Sequence, residues 1–246
     1  MIDALVDLLK SSRNAIVLTG AGISTESGIP DYRSKGTGLW EKVDPTKMAS
    51  VTFMLSHPEE FFRFNISQWA KYTEAKPNAA HRIIAVMERE GYIKGVITQN
   101  IDNLHYKAGS KNLFEVHGNL RTAHCINCTN KYDFNDIVTQ FYEGINPPRC
   151  EICGSLVRPD VVLFGDPMNK DFYEALKAVK KCDFLLVVGS SLEVYPVAEL
   201  PLYCRQFSII NRDPTPLDER AKIVIHDSIG KVFCDIAEKL NLKYEY

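Results

Sequence analysis

The stretch AIVLTGAGISTESGIPDYRS, residues Ala15–Ser34, joins a short run of apolar, β-forming residues to a glycine loop. Glycines between a buried strand and a helix let backbone N–H groups approach a pyrophosphate at the helix N-terminus. Gly20 and Gly22 stand at that position, but Gly28 follows six residues after Gly22, where the ordinary dinucleotide fingerprint has three. The pattern favours a phosphate-binding loop of unusual spacing, with a tight turn that binds no ligand as the alternative.

Two charged residues end this loop. Asp31 and Arg33 follow the Ile-Pro dipeptide at its end. An arginine beside a glycine loop suits a phosphate, because its planar guanidinium pairs with phosphate oxygens. This placement favours an anionic ligand at the loop, whereas a surface ion pair is the competing interpretation.

Apolar runs recur along the chain and alternate with amphipathic stretches. Helices are predicted over Pro58–Tyr72 and from Asn78 to a stop at Gly91. Continuous apolar strands between helices are typical of a parallel sheet that is covered on both faces. The strands predicted for this α/β fold are Ala15–Thr19, Gly95–Thr98, Leu113–Val116, Val161–Phe164, Phe184–Gly189, Phe207–Ile210 and Lys222–Ile225.

Two segments interrupt this alternation, and we interpret both as insertions. Residues 34–76 are rich in aromatic side chains, and residues 119–157 contain four of the seven cysteines. These four form two Cys-x-x-Cys pairs with 21 residues between them, a spacing close to that of zinc ribbons. Each pair can present two thiolates to one tetrahedral Zn²⁺. A structural zinc site is therefore predicted, with a redox pair or disulfides as alternatives, at Cys125, Cys128, Cys150 and Cys153.

Polar side chains follow two of the predicted strands. Gln99, Asn100 and Asp102 come after one strand, and His117 ends the next. The carboxyl ends of parallel strands form the edge where open α/β sheets bind ligands. We therefore interpret His117 as a candidate general base, with a structural histidine as the alternative.

Composition limits the classes of function. The 246 residues carry 29 basic and 31 acidic side chains, a formal net charge of −2, without a basic block, so direct binding to nucleic acid is not expected. Asn14–Thr25 is the longest stretch free of charged residues, and it is too short and too polar to span a membrane. Because the N-terminal segment is acidic and the number of cysteines is odd, we expect a cytoplasmic protein.

Together these features resemble the sirtuin family, in the form of a bare bacterial or archaeal catalytic core. The matching strings stand in family order and span nearly the whole chain: Gly20–Ser34, Thr98–His105, Val116–Asn119, the cysteine quartet, Arg158–Asp166, Gly189–Pro196 and Ile210–Asp218. The resemblance implies a Rossmann-like doubly wound parallel sheet over residues 1–34, 77–118 and 158–246. It also implies a small domain made of a helical module (35–76) and a zinc module (119–157).

The resemblance further implies NAD-dependent removal of acetyl groups from lysine side chains of proteins or peptides, with NAD consumed as a co-substrate and zinc structural. By position in the matching strings, the NAD-binding residues would be Gly20, Ala21, Gly22, Thr25, Asp31, Tyr32, Arg33, Gln99, Asn100, Ile101, Asp102, His117, Gly189, Ser190, Ser191, Asn211 and Ile229. The residues that line the acyl-lysine tunnel would be Val162, Phe164 and Val194.

The catalytic residues implied by the resemblance are His117, Asn100 and Asp102. Asp102 would hold the nicotinamide carboxamide, and Asn100 would stabilise positive charge that develops on the ribose. His117 would deprotonate a ribose hydroxyl, which then attacks the carbon of the acyl group. The acetyl group would leave on ADP-ribose, with the peptide bound as an added strand.

The sequence departs from the family pattern at two positions. Tyr32 stands where Phe is common and Asp166 where Glu is common, but neither is a base or nucleophile, so activity is expected to persist. Members that prefer acidic acyl groups carry Tyr-x-x-Arg in the helical module. The aligned positions here are Asn65 and Gln68, so acetyl or another uncharged acyl group is expected.

Three other functions fit part of the pattern. A mono-ADP-ribosyltransferase would use the same NAD site, but the acyl-lysine tunnel and His117 favour deacetylation. A non-catalytic module that binds NAD, or a partner through zinc, would not require Asn100, Asp102 and His117. A hydride-transferring dehydrogenase is disfavoured by the spacing to Gly28 and by the zinc module.

Overall fold

The computed structural model describes residues 1–31 and 48–244. The strands among them are β1 (Ala15–Thr19), β2 (Val96–Thr98), β3 (Leu113–Glu115), β4 (Gly118–Cys125), β5 (Lys131–Asp133), β6 (Val157–Val161), β7 (Phe184–Val188), β8 (Phe207–Ile210) and β9 (Val224–Ile225). Six of them form a parallel sheet in the order β3-β2-β1-β7-β8-β9. This is the doubly wound order, in which two halves run outward from a central pair. Here the central pair is β1 and β7, in register from Ala15 and Phe184 to Thr19 and Val188.

Helices pack on both faces of this sheet. The helix predicted after Asn78 is confirmed: the Asn78 side chain accepts a hydrogen bond from the backbone N–H of His81, and Gly91 follows its end with φ of 84°. The α-helices are Ile2–Ser11, Val51–Ser56, Pro58–Glu74, Ala79–Arg89, Leu104–Ala108, Phe134–Tyr142, Lys170–Lys181 and Ile229–Lys239, and the 3-10 helices are Ala21–Ser27, Val197–Tyr203 and Asp218–Arg220. Among the described residues, no helix combines the length and the apolar content that crossing a bilayer requires.

Side chains of the two central strands alternate between the faces of the sheet. Val17 and Leu186 belong to the core beneath the N-terminal and C-terminal helices. Leu18 and Leu185 belong to the opposite core, beneath the helix Lys170–Lys181. Because both faces are buried, a ligand must approach this sheet at the ends of its strands.

Six of the seven predicted strands are confirmed, and the one predicted over Val161–Phe164 is wrong. The strand at this place is β6, which ends at Val161 and pairs antiparallel with β4 in a separate sheet of order β5-β4-β6. Phe164 makes an isolated bridge to Ser50 and belongs to none of the named strands. The apolar residues of this run serve the other body of the molecule. Leu163 is buried in the core around the small sheet, and Phe164 is exposed.

The four paired cysteines gather around the end of β4. Their sulphur atoms all lie within 4.8 Å of one another, with 3.5 Å between Cys125 and Cys153 and 3.5 Å between Cys128 and Cys150. Sulphurs around a tetrahedral Zn²⁺ at about 2.3 Å stand about 3.8 Å apart. The cluster therefore fits a four-thiolate zinc site, whose closed shell supports the fold and leaves no position for a reactant.

This cluster borders a core of its own. Cys125 lies in that core together with the small sheet and the helices Phe134–Tyr142 and Pro58–Glu74. Trp69 of one helix packs edge-on against Phe134 of the other, with 6.2 Å between ring centroids. Zinc at the cysteines would therefore stabilise a body that is separate from the parallel sheet.

We expect Cys128→Ser to reduce zinc from about one equivalent per chain and to lower the Tm by about 10 °C. Removing one thiolate opens the metal shell and weakens the adjoining core. Metal content is measured by atomic emission and the Tm by thermal denaturation. Cys234→Ser is the matched control, because Cys234 packs against the core of the parallel sheet. A zinc-free Cys128→Ser protein with the wild-type Tm would contradict the structural role.

Candidate active site

A cleft lies between the carboxyl end of the parallel sheet and the body that contains the small sheet. Its cavity has a volume of about 410 Å³. One wall consists of the segments that follow β1, β2, β3, β7 and β8, and the other of the helix Pro58–Glu74 and residues 161–166. The predicted site residues that line it are Gly20, Ala21, Gly22, Asp31, Gln99, Asn100, Ile101, His117, Val162, Phe164, Gly189, Ser190, Ser191, Val194 and Asn211.

The remaining predicted residues that the structure describes lie outside this cleft. Thr25 and Ile229 line a smaller recess that adjoins it, at the start of the helix Ile229–Lys239. The Asp102 side chain is buried behind the cleft wall. Tyr32 and Arg33 lie outside the described residues.

The glycine loop packs its backbone against the loop after β7. The N–H of Gly22 donates to the carbonyl oxygen of Gly189 at 2.9 Å. A Cβ on Gly20 would stand 2.7 Å from the same oxygen, and a Cβ on Gly189, whose φ is 61°, would stand 2.4 Å from the nitrogen of Ile23. Glycine is therefore required here because two backbones touch. Gly28, with φ of 83°, ends the 3-10 helix that follows, which explains its late position.

A chain of hydrogen bonds connects this loop to the segment after β2. Nδ2 of Asn100 donates to the carbonyl oxygen of Gly20 and to Oγ of Ser24, each at 3.1 Å. Oγ of Ser24 donates to Oδ2 of Asp102 at 2.6 Å, and Oδ1 of Asp102 accepts from the backbone N–H of Leu104. Burial raises the pKa of Asp102, although both hydrogen bonds favour its carboxylate. Asp102 thus orients Ser24, a residue that sequence reasoning missed, and its contact with nicotinamide stays a prediction.

His117 presents one defined tautomer in the cleft. Its Nδ1 lies 3.0 Å from the carbonyl oxygen of Gln99. Because a carbonyl only accepts, Nδ1 carries the proton and Nε2 is the basic nitrogen. Burial lowers the pKa of His117, so the ring is neutral at pH 7. Gln99 is held in turn by its side chain, which donates to Oγ of Ser190 at 2.9 Å.

The opposite wall contains a loop that an ion pair closes. Both terminal nitrogens of Arg158 donate to the carboxylate of Asp166, at 3.0 and 2.6 Å. The same carboxylate accepts from the backbone N–H of Leu163 at 2.9 Å. The backbone N–H of Phe164 donates to the carbonyl oxygen of Ala49, and the carbonyl oxygen of Phe164 accepts from the N–H of Val51. Although the Asp166 side chain is one methylene shorter than that of Glu, it still reaches Arg158 and Leu163 and fixes the loop that carries Phe164.

One face of the helix Pro58–Glu74 completes this wall, and sequence reasoning missed most of it. Its positions follow the i, i+1, i+4, i+5, i+8 spacing of a single helical face, a signal that was present in the aromatic residues of the sequence. None of these five side chains is charged, so the wall favours an uncharged group. The residues are Phe64, Asn65, Gln68, Trp69 and Tyr72.

Named relatives are similar in sequence to this chain over most of its length. The model of the Sir2 family matches residues 20–196. A relative from Caldanaerobacter subterraneus subsp. tengcongensis, named NAD-dependent protein deacetylase 2, is 52% identical over 90% of this chain and 88% of its own. A relative from Archaeoglobus fulgidus, named NAD-dependent protein deacylase 2, is 43% identical over 95% of this chain and 94% of its own.

Solved structures match the fold over nearly the whole chain. A Sir2 structure with a deacetylated p53 peptide and 3'-O-acetyl ADP-ribose has a TM-score of 0.94 at 38% identity and covers 98% of this chain and 99% of that one. A structure of Sir2 bound to an acetylated peptide has a TM-score of 0.91 at 37% identity, with coverage of 99% and 100%. Since sequence, fold and cleft agree from the glycine loop to the loop after β7, this chain belongs to the Sir2 family.

Proposed function

We propose that this protein is an NAD-dependent protein-lysine deacetylase that transfers the acetyl group to ADP-ribose and releases nicotinamide. The observation that carries the proposal is His117, a neutral imidazole of fixed tautomer in a cleft shared with Asn100 and the glycine loop. The relatives named NAD-dependent protein deacetylase and the Sir2 structures with acetylated or deacetylated peptides support it.

NAD would bind along the glycine loop and the neighbouring strand ends, with its adenosine half towards Thr25 and Ile229. It supplies the ribose carbon that accepts the acetyl group once nicotinamide leaves. Nδ2 of Asn100 is engaged by Gly20 and Ser24. Its Oδ1, the negative end of the amide dipole, is then the atom that stabilises positive charge on the ribose.

His117 acts as the general base through Nε2. Its Nδ1–H remains on the carbonyl oxygen of Gln99, so the ring can accept a proton from a ribose hydroxyl without turning. Burial keeps the ring neutral and ready to accept that proton. We assign Val162, Phe164 and Val194 to the acetyl-lysine side of the cleft, where the uncharged helix face also lies.

The decisive experiment measures nicotinamide release from NAD with and without an acetyl-lysine peptide. We expect release only with the peptide, together with deacetylated peptide and acetyl-ADP-ribose. Release without deacetylation, with ADP-ribose attached to protein, would instead identify a mono-ADP-ribosyltransferase. NAD binding without any release would identify a non-catalytic module.

We expect His117→Ala to lower kcat for deacetylation by about 10²–10⁴-fold, which is the contribution that a general base makes to the rate. Circular dichroism and the Tm should stay close to wild type. His57→Ala is the matched control, since His57 is exposed at the start of the helix Pro58–Glu74 and does not line the cleft. Near-normal turnover in His117→Ala would remove His117 from the mechanism.

The pH profile provides a separate prediction. Because burial lowers the pKa of His117, its basic form persists below the ordinary value near 6.5, and the acid limb of kcat/KM should have its midpoint below pH 6.5.

Stability has its own dependence on pH, because burial also lowers the pKa of His81 and His105. These two stay neutral in the folded state and take up protons on unfolding, so stability falls as pH drops below about 6.5. Circular dichroism at each pH separates the two effects, and a midpoint above pH 7 in folded protein would contradict the prediction.

Acyl preference follows from the uncharged helix face. We expect kcat/KM for a succinyl-lysine peptide to be at least about tenfold below that for acetyl-lysine, because a carboxylate loses hydration there without gaining a cation from the described helix face. Gln68→Arg should narrow this ratio, with Lys71→Arg, an exposed position on the same helix, as control. A wild-type preference for succinyl-lysine would overturn the argument.

We also propose the division into a Rossmann-like domain (1–34, 77–118 and 158–246) and a small domain of helical (35–76) and zinc (119–157) modules. β6 crosses the boundary at residue 158.

We propose a cytoplasmic location, since a four-thiolate site requires reduced cysteines. Fractionation of cells that produce the protein, with a periplasmic marker as reference, tests this location.

A further inference from the structure

Two cysteines outside the zinc cluster meet at the end of the sheet that is opposite to the cleft. Cys182 stands two residues before β7 and Cys204 three residues before β8, so both lie near amino ends of strands. The thiol of Cys182 donates a hydrogen bond to Sγ of Cys204 at 2.8 Å. The S–S bond of a disulfide measures roughly 2.05 Å, so a small displacement separates the thiol pair from a covalent bond.

The register of the sheet brings the two residues together. Leu185 of β7 pairs with Phe207 of β8, and each cysteine stands three residues before its member of that pair. Neighbouring strands run about 4.8 Å apart, within the range of roughly 4.4–6.8 Å between Cα atoms that disulfides require. The backbone N–H of Leu185 donates to the carbonyl oxygen of Gln206 at 3.1 Å, which fixes the strands on the sheet side of the pair.

The two thiols differ in access and in acidity. Cys204 is half-buried, whereas Cys182 is buried. The hydrogen bond from Cys182 lowers the pKa of Cys204 to about 7, and the same bond, together with burial, raises the pKa of Cys182. Because the thiolate is the reactive form of cysteine, Cys204 is the thiol that a small oxidant reaches and reacts with.

We propose that Cys182 and Cys204 form a redox modification site, at which hydrogen peroxide converts the thiol pair into a disulfide. The Cys204 thiolate attacks one peroxide oxygen, and the O–O bond breaks to give a sulfenic acid and hydroxide. The sulphur of Cys182 then attacks the sulphur of Cys204, its proton passes to the departing oxygen, and water leaves. The proton that Cys204 lost when it ionised neutralises the hydroxide, so in sum two thiols and one hydrogen peroxide give one disulfide and two waters.

The bond would close a segment that carries part of the cleft. Residues 182–204 include β7, the turn at Gly189 and Val194. Closing this segment restricts the unfolded chain, so oxidation should raise the Tm by about 5 °C. The argument rests on the position of the thiols and not on the proposed deacetylase function, so each can fail without the other.

The sequence offers a direct measurement. No Lys or Arg lies between Lys181 and Arg205, so trypsin releases both cysteines in the single peptide 182–205. The full-length zinc-loaded protein is treated with a small molar excess of hydrogen peroxide, alkylated with iodoacetamide, digested and analysed by mass spectrometry. We expect this peptide to be lighter than its reduced form by two hydrogen atoms and to carry no alkyl group. Dithiothreitol before alkylation should restore two alkylated thiols.

Variants and the Tm provide a second test. Cys204→Ser and Cys182→Ala should lose both the mass change and the rise in Tm on oxidation, whereas Cys234→Ser should keep both. Two alkylated thiols after peroxide treatment would overturn the proposal. A sulfinic acid on Cys204 beside an alkylated Cys182 would also overturn it, because the two sulphurs would then have failed to join.

Discussion

The structure of the site depends on a contact between two backbones at the centre of the parallel sheet. The glycine loop after β1 touches the loop after β7 so closely that a Cβ on Gly20, Gly22 or Gly189 would lie within 3 Å of the other chain segment. A side chain at any of these positions would push the two central strand ends apart. The amide of Asn100 is anchored on Gly20, and Gln99 is anchored on Ser190. The proposed base and the proposed charge-stabilising amide therefore take their positions from this one contact.

A second close approach lies within the small sheet, directly beside the same base. Gly118, with φ of 77°, begins β4, and a Cβ on it would meet the carbonyl oxygen of Asp160 in β6 at 2.0 Å. His117 immediately precedes this glycine, and its carbonyl oxygen accepts from the N–H of Val162. The imidazole thus stands where the parallel sheet meets the small sheet. Zinc is expected to act on catalysis indirectly, by stabilising the body that carries Val162 and the rest of that wall of the cleft.

Much of this arrangement can be predicted from the sequence, because it depends on local signals. Continuous apolar runs indicated six strands correctly, and the polar residues after β2 and β3 indicated the edge at which the cleft lies. Ser24 was missed because its importance comes from a hydrogen bond to Asp102, which is 78 residues away along the chain. The run Val161–Phe164 was placed in the wrong sheet because hydrophobicity reports burial and does not report which core a segment enters.

Burial also explains why the groups proposed to act on the ribose are a neutral imidazole, His117, and an amide dipole, Asn100. A histidine that held a proton here would oppose the positive charge that we propose to develop on the ribose, and at low dielectric such repulsion is strong. Burial lowers the pKa of His117 and so removes that charge, while the carbonyl oxygen of Gln99 keeps the ring oriented. Asp102 lies behind the wall, where two hydrogen bonds hold its carboxylate, and it acts on the cleft through Ser24. The amide of Asn100 lies at the end of this chain of hydrogen bonds, and its oxygen is free to face positive charge. Because the amide does not ionise, it places no second titratable group beside His117.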